Sequence, residues 1–233
     1  GLLCINHEYT DDGLLHSSGM QDWSAEKVAK SKAAHGVSVI EVRRDQDGWQ
    51  VVRPSRLARR ISADTPCRIR GPARNHPALT TATDRRGEVV LGTLNNCAMG
   101  VTPWGTYLTC EENVNGCFKG PPAPSAAQER YGLTEKGFGF RWHEHDERFD
   151  ATRHPNEVNR FGWGGGIDPW RPDQQPVKRT ALGRFKHEGA TVTLARDGRV
   201  VVYMGDDERF EYVYKFVSHD RYRAGNPGNA RLL

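Results

Sequence analysis

Where this chain shows hydrophobic periodicity, the period is mostly two, and that pattern predicts strands rather than helices. Val37-Ser-Val-Ile-Glu-Val42 and Trp49-Gln-Val-Val52 flank Asp47-Gly48, and Thr191-Val-Thr-Leu-Ala195 and Arg199-Val-Val-Val-Tyr203 flank Asp197-Gly198. Asp-Gly suits the tight turn of a two-residue connection, so each pair of runs reads as a β-hairpin. Glu88-Val-Val-Leu91 and Thr106 to Thr109 add two short extended segments, and Phe210-Glu-Tyr-Val-Tyr-Lys-Phe-Val217 places its aromatics on one face. Helical spacing is confined to Ser24 to Ala34, with Ser24 as N-cap and Glu26 and Lys30 one turn apart. From Pro121 to Arg179 the chain is rich in Pro, Gly, His and charge, which predicts a long loop-rich excursion with one strand near Phe138 to Trp142. Gly164 to Gly166 within it reads as a turn, since no Lys and Ser/Thr follow in the spacing of a phosphate loop. The fold class is therefore all-β, in a single domain over residues 1–233.

Three segments repeat one motif: LLCINHEYT, GTYLTCEEN and VVVYMGDDER each run from an apolar strand into an acidic end. Repeated units of this kind suggest a β-propeller, in which equivalent strands converge on a central channel. Glu8, Glu111, Glu112, Asp206, Asp207 and Glu208 would then share one site. Carboxylates gathered in that way repel one another unless a cation neutralises them. The alternative is that these strand ends simply face solvent.

Asn95 to Asn113, NNCAMGVTPWGTYLTCEEN, concentrates the candidate chemistry. It sets the Cys97 thiol and the Glu111–Glu112 pair on either side of a turn containing Gly100, Pro103 and Gly105. A thiolate with hard carboxylates suits a cation such as ferric iron. The competing reading makes Cys97 a small buried hydrophobe and the glutamates a solvated corner. His143 and His145 allow metal ligation but read better as exposed loop histidines, and Asp45-Gln-Asp47-Gly48 makes a turn rather than a calcium loop, because the distal Glu is missing.

That segment, together with INHEYT at Ile5 to Thr10, GRFKHEGATV at Gly183 to Val192 and VVYMGDDERFEYVYKFVS at Val201 to Ser218, resembles the PhoX family of alkaline phosphatases. The four blocks occur in order and span most of the chain. The resemblance implies a secreted, periplasmic or extracellular phosphomonoesterase on a β-propeller, with Fe3+ and Ca2+ at the axis and no serine nucleophile. By resemblance Cys97, Glu112 and Glu188 are catalytic and hold iron, while Glu8, Glu111, Asp207 and Glu208 serve calcium. Asn96, Lys186 and Arg209 would bind substrate phosphate, with His187 a further candidate. The family completes its site with an Arg and an acidic residue from a later part of the propeller, so the chain reads as an internal segment, a partial propeller whose open strand edges favour self-association.

Composition narrows the alternatives. A hydrophobic fraction of 36%, mean hydropathy of -0.71, 25 Gly and 13 Pro fit short strands with many polar turns. The +4 charge is scattered among 29 acidic residues, which argues against nucleic acid as a specific partner. Five cysteines without a CxxC pair exclude a zinc ribbon, although a Cys110–Cys117 disulfide is conceivable. No apolar run approaches the roughly 20 residues of a membrane span, and no GxSxG elbow is present. Two rival functions remain: a non-catalytic propeller segment that holds calcium or an anion, and a calcium-dependent hydrolase of the lactonase type, which has no use for a thiolate.

Overall fold

Both Asp-Gly pairs reverse the chain. In the computed structural model, which describes residues 1–233, Gly48 and Gly198 have φ of 110° and 85°, a region glycine enters without a Cβ penalty. Asp45 accepts from the Asp47 N–H at 2.9 Å and Asp197 from the Arg199 N–H at 3.1 Å, fastening each turn. Asp45 therefore serves a hairpin, as its sequence suggests.

Thirteen strands form three sheets. The first holds β1 (Leu2–His7), β2 (Gly36–Asp45), β3 (Gly48–Val51) and β4 (Arg59–Ile61), with β2 pairing all three others. The second runs in the order β6-β5-β10-β9-β8-β7, from β5 (Pro66–Arg70), β6 (Val89–Leu91), β7 (Asn96–Val101), β8 (Tyr107–Glu111), β9 (Trp163–Ile167) and β10 (Val177–Arg184). The third is a meander of β11 (His187–Leu194), β12 (Arg199–Asp206) and β13 (Val213–Arg221). The α-helices are α1 (Asp12–Leu15), α2 (Ala25–Ala34) and α3 (Ala126–Arg130), with short 3-10 turns between elements. α2 is the expected helix, with the Ser24 hydroxyl accepting from the Lys27 N–H at 3.4 Å. The chain is thus mostly β, and its three sheets do not close into a ring.

The excursion departs from expectation in two places. Gly164 to Gly166 is no turn but the middle of β9, paired with both β8 and β10. Glycine is needed there for space: a Cβ on Gly164, Gly165 or Gly166 would come within 2.9, 2.9 or 2.6 Å of Leu182, Thr109 or Arg179. Conversely, Phe138 to Trp142 forms no strand. Gly137, Gly139 and Arg141 have φ of 54°, 85° and 57°, which interrupts any extended run, and the chain enters a 3-10 turn at Trp142–Glu144. Loop-rich as it is, this region supplies Trp142, Phe149 and Phe161 to the largest core cluster, beside Phe118, Ile69, Val90 and Leu94. β13 begins at Val213 rather than Phe210 because Phe210 itself takes φ of 67°.

A second cluster joins Leu108 and Cys110 of β8 to Ala190, Val200, Val202 and Met204 of the meander. Cys110 lies in this cluster and Cys117 in the first, so the conceivable disulfide does not form; all five cysteines are free. The same packing brings β7 against β11, where a Cβ on Gly100 would lie 1.8 Å from the Ala190 carbonyl oxygen. Gly100→Ala is expected to lower stability by about 1–3 kcal/mol, measured by chemical denaturation, whereas Gly105→Ala, with nothing near its Cβ direction but a φ of 84°, is expected to cost about 1 kcal/mol. Equal, negligible losses would show that β7 and β11 are not in this close contact.

Candidate metal centre

Five strand ends meet at one place. β1, β8 and β12 each deliver an acid just beyond their last residues, Glu8, Glu112 and Asp207, while Cys97 and Glu188 are the second residues of β7 and β11. Pairing breaks register in β7 between Asn96 and Met99 and in β11 between Glu188 and Thr191. Such bulges re-aim side chains, and here the Cys97 Sγ comes 3.5 Å from Glu188 Oε2 and 3.1 Å from the His187 carbonyl oxygen. Ligand atoms of Glu8, Cys97 and Glu112 lie within 4.8 Å of one another, and so do those of Glu112, Glu188 and Asp207. Glu112 belongs to both groups and joins them into one site.

A polar brace beneath the site fixes β1 to β7 and β8. Asn6 donates to the carbonyls of Ala98 and Cys97 at 2.8 and 3.3 Å, and its Oδ1 accepts from Tyr107 Oη and Thr109 Oγ1, both at 2.9 Å. Asn96 donates to Thr93 and Thr109 hydroxyls at 2.7 and 2.8 Å. Asn95, with φ of 48°, turns its carbonyl toward the Glu112 N–H at 3.1 Å and its Oδ1 toward the Asn113 N–H at 2.5 Å. Asn6 and Asn95 escaped sequence reasoning. Their position within the INHEYT block and next to the cysteine loop was the available signal.

The site is strongly acidic, and no ion pair neutralises it. Lys186 pairs with Glu208 and Lys178 with Glu111, whereas Glu8, Glu112, Glu188 and Asp207 have no Lys, Arg or His partner. Burial, followed by Asp207, Glu188 and Glu8, pushes the Glu112 carboxyl up from about 4.5 to about 8. Burial also raises Glu8, and burial with the charges of Glu112 and Glu188 holds the Cys97 thiol far above its ordinary value. Carboxylate oxygens and a sulfur around an uncompensated negative charge fit a cation, with the sulfur favouring iron and the oxygens suiting calcium as well.

Not every expected residue joins. Glu111 points away from Glu112, as successive strand residues do: its oxygens are taken by Lys178 Nζ at 2.7 Å and by the N–H groups of Gly162 and Trp163 at 2.9 and 3.1 Å. It is a buried structural ion pair rather than part of the cluster. Glu208 is engaged by Lys186 and by the Arg209 N–H, and Asp206 accepts from the Glu208 N–H at 3.2 Å, so both stand outside the two groups. Asn96 spends its amide on the brace. Arg209 is exposed, and its guanidinium makes no hydrogen bond or ion pair, whereas Lys186 is buried. His187 is buried against Phe185 with 3.7 Å between ring centroids, and burial lowers it to about 4, so it is neutral and not an anion-binding cation. His143, inside the 3-10 turn, and His145, at its end, stand outside any such cluster.

The pH dependence of the metal-free chain follows from Glu112. Its folded carboxyl binds a proton more tightly than the unfolded one, so the stability it allows below about 4.5 is lost as pH rises through about 8. Above about pH 7.5 the histidines that the fold holds neutral are neutral in the unfolded chain as well and no longer contribute. Thermal melts in chelator are therefore expected to fall between about pH 7.5 and about pH 8.5, with added Ca2+ reversing the fall. A flat or rising profile would contradict this electrostatic picture.

The alkaline phosphatase PhoX family matches this chain over residues 1–233. A solved structure described as Pseudomonas fluorescens PhoX in complex with vanadate, a transition state analogue, is 52% identical and superposes with a TM-score of 0.95, covering 99% of this chain and 40% of that one. The chain thus spans about 40% of the length of that structure. No curated protein matches.

Proposed function

Because this chain belongs to the alkaline phosphatase PhoX family, we propose that it carries the cation-binding part of a phosphomonoester hydrolase that uses Fe3+ and Ca2+. The observation that carries this reading is the meeting of Cys97, Glu8, Glu112, Glu188 and Asp207 without a countercharge from the protein. Cys97, Glu112 and Glu188 are assigned to iron, and Glu8 and Asp207 to calcium. Glu111 and Glu208 are left out of the ligand set because Lys178 and Lys186 hold them. Cations bound there would neutralise the phosphoryl oxygens and acidify an attacking water, which removes the need for a serine nucleophile.

The chain's own residues hold this arrangement and prepare it. Cys97 must lose its proton to act as a ligand, and Glu188 Oε2, which accepts the thiol's hydrogen bond at 3.5 Å, is exposed and lies on a path by which that proton would leave to water. Asn96 and Asn6 keep the Cys97 backbone in register as positioning residues. Glu188 and Asp207 are exposed, so the site opens to a substrate from their side. Arg209 follows closely after Asp207 and has a free guanidinium for a phosphate dianion. Lys186 serves the same anion only by leaving Glu208.

The vanadate complex of the related structure supports phosphoryl chemistry. The three sheets are read as blades of a partial β-propeller in one domain, and an exported, periplasmic or extracellular location accords with the family. The share of the related structure that is matched also keeps a second reading in play: a segment that binds cations but needs further chain for turnover.

Purified chain loaded with Fe3+ and Ca2+ is expected to retain both and to release phosphate from a chromogenic phosphomonoester at alkaline pH. Cys97→Ala is expected to lose most of the iron, with turnover down by about two orders of magnitude or more, while retaining calcium. Metal retention without turnover would favour the second reading. A Cys97→Ala chain with full iron and full activity would overturn the assignment.

A further inference from the structure

Glu112 is the residue that both ligand groups share, so the direction of its carboxylate decides whether they act as one site. Its main chain is fixed at both ends. The N–H donates to the Asn95 carbonyl at 3.1 Å, and the carbonyl accepts from the Val114 N–H at 3.0 Å and from Tyr131 Oη at 3.4 Å. What remains is side-chain torsion, and the Asn113 amide acts on it. Its nitrogen donates to Glu112 Oε1 and, through its second hydrogen, to Tyr9 Oη at 3.3 Å. Nitrogen rather than oxygen must face Glu112 there, because an amide oxygen would repel the carboxylate.

Asn113 has an ordinary use that it does not take. It precedes the 3-10 turn Val114–Cys117, a position where an Asn side chain usually caps the first free N–H groups, yet it makes no capping bond. Its own place is set through the main chain, whose N–H donates to Asn95 Oδ1 at 2.5 Å. Asn95 is fully buried and held at a φ of 48°. A buried Asn thus fixes the backbone of Asn113, and Asn113 in turn directs the carboxylate of Glu112. The preceding residue shows what an uncharged donor does differently. Lys178 both orients and neutralises Glu111, whereas an amide orients Glu112 and leaves its negative charge available to a cation.

We propose that Asn113 is a positioning residue of the metal centre, turning the Glu112 carboxylate toward the cations without neutralising it. The inference rests on the assignment of Glu112 to iron. Its test is iron affinity, measured by competition with a chelator on the iron- and calcium-loaded chain and arranged as a double-mutant cycle. Asn113→Ala keeps the main-chain bond to Asn95 and is expected to weaken iron binding by about 10–100-fold, the usual cost of losing a group that orients a ligand. Asn113→Ser, whose hydroxyl is too short to reach Glu112 Oε1, should behave in the same way. In a Glu112→Ala background, already weaker, Asn113→Ala should cost no more than about twofold further, because the carboxylate it acts on is gone. An equal loss in both backgrounds would show that Asn113 acts apart from Glu112 and would overturn the proposal, as would wild-type affinity in both Asn113 variants. Iron binding absent from the wild type, or unchanged by Glu112→Ala, would overturn the assignment of Glu112 itself and this inference with it.

Discussion

Four carboxylates and a thiol are packed together where the protein supplies no positive charge, and the surrounding structure is organised around that repulsion. Two unit charges about 4 Å apart repel by about 4 kcal/mol at an effective dielectric near 20, several times the net worth of a hydrogen bond, about 1 kcal/mol. The Asn6 and Asn96 brace can therefore orient Cys97 but cannot hold several bare charges beside it. Either protons or cations must neutralise the group. The raised carboxyl of Glu112 and the raised thiol of Cys97 describe the first solution, and the convergence of strand ends describes the second.

Glu111 and Glu112 show how finely this depends on the local fold. They are adjacent in sequence, yet one carboxylate is neutralised inside the protein and the other is not. Glu111 meets Lys178 at 2.7 Å, and Lys178 in turn lies 3.9 Å over the Phe161 ring. That buried pair fastens β8 to β10 and the excursion, beneath the site. Removing either partner would leave a charge stranded in the core, a loss of several kcal/mol, so Glu111 stabilises the platform while Glu112 faces the chemistry.

Much of this was legible in the sequence. The Asp-Gly hairpins, the helix at Ser24 and the acidic strand ends follow from local pattern, because turn chemistry and capping are properties of a few consecutive residues. β9 was not legible: three glycines have no periodicity, and their reason for being there is the side chains of Thr109, Leu182 and Arg179 on neighbouring strands. The Phe138 region misled for the opposite reason, since its alternating aromatics suggest a strand that positive φ at Gly137, Gly139 and Arg141 forbids. Among the candidate ligands, the acidic strand ends and the family resemblance together named Cys97, Glu8, Glu112, Glu188 and Asp207, whose ligand atoms the fold gathers, but had no means of separating Glu111 and Glu208, whose lysine partners lie 67 and 22 residues away.

The sulfur of Cys97 distinguishes this site from an ordinary acidic patch, because solvated glutamates would recruit iron or calcium through oxygen alone. X-ray absorption at the iron edge of the iron-loaded chain addresses that difference directly. The expected result is a sulfur neighbour of the iron in the wild type that is absent from Cys97→Ala. Iron surrounded by oxygen and nitrogen alone in the wild type would contradict the assignment of Cys97 to the metal centre.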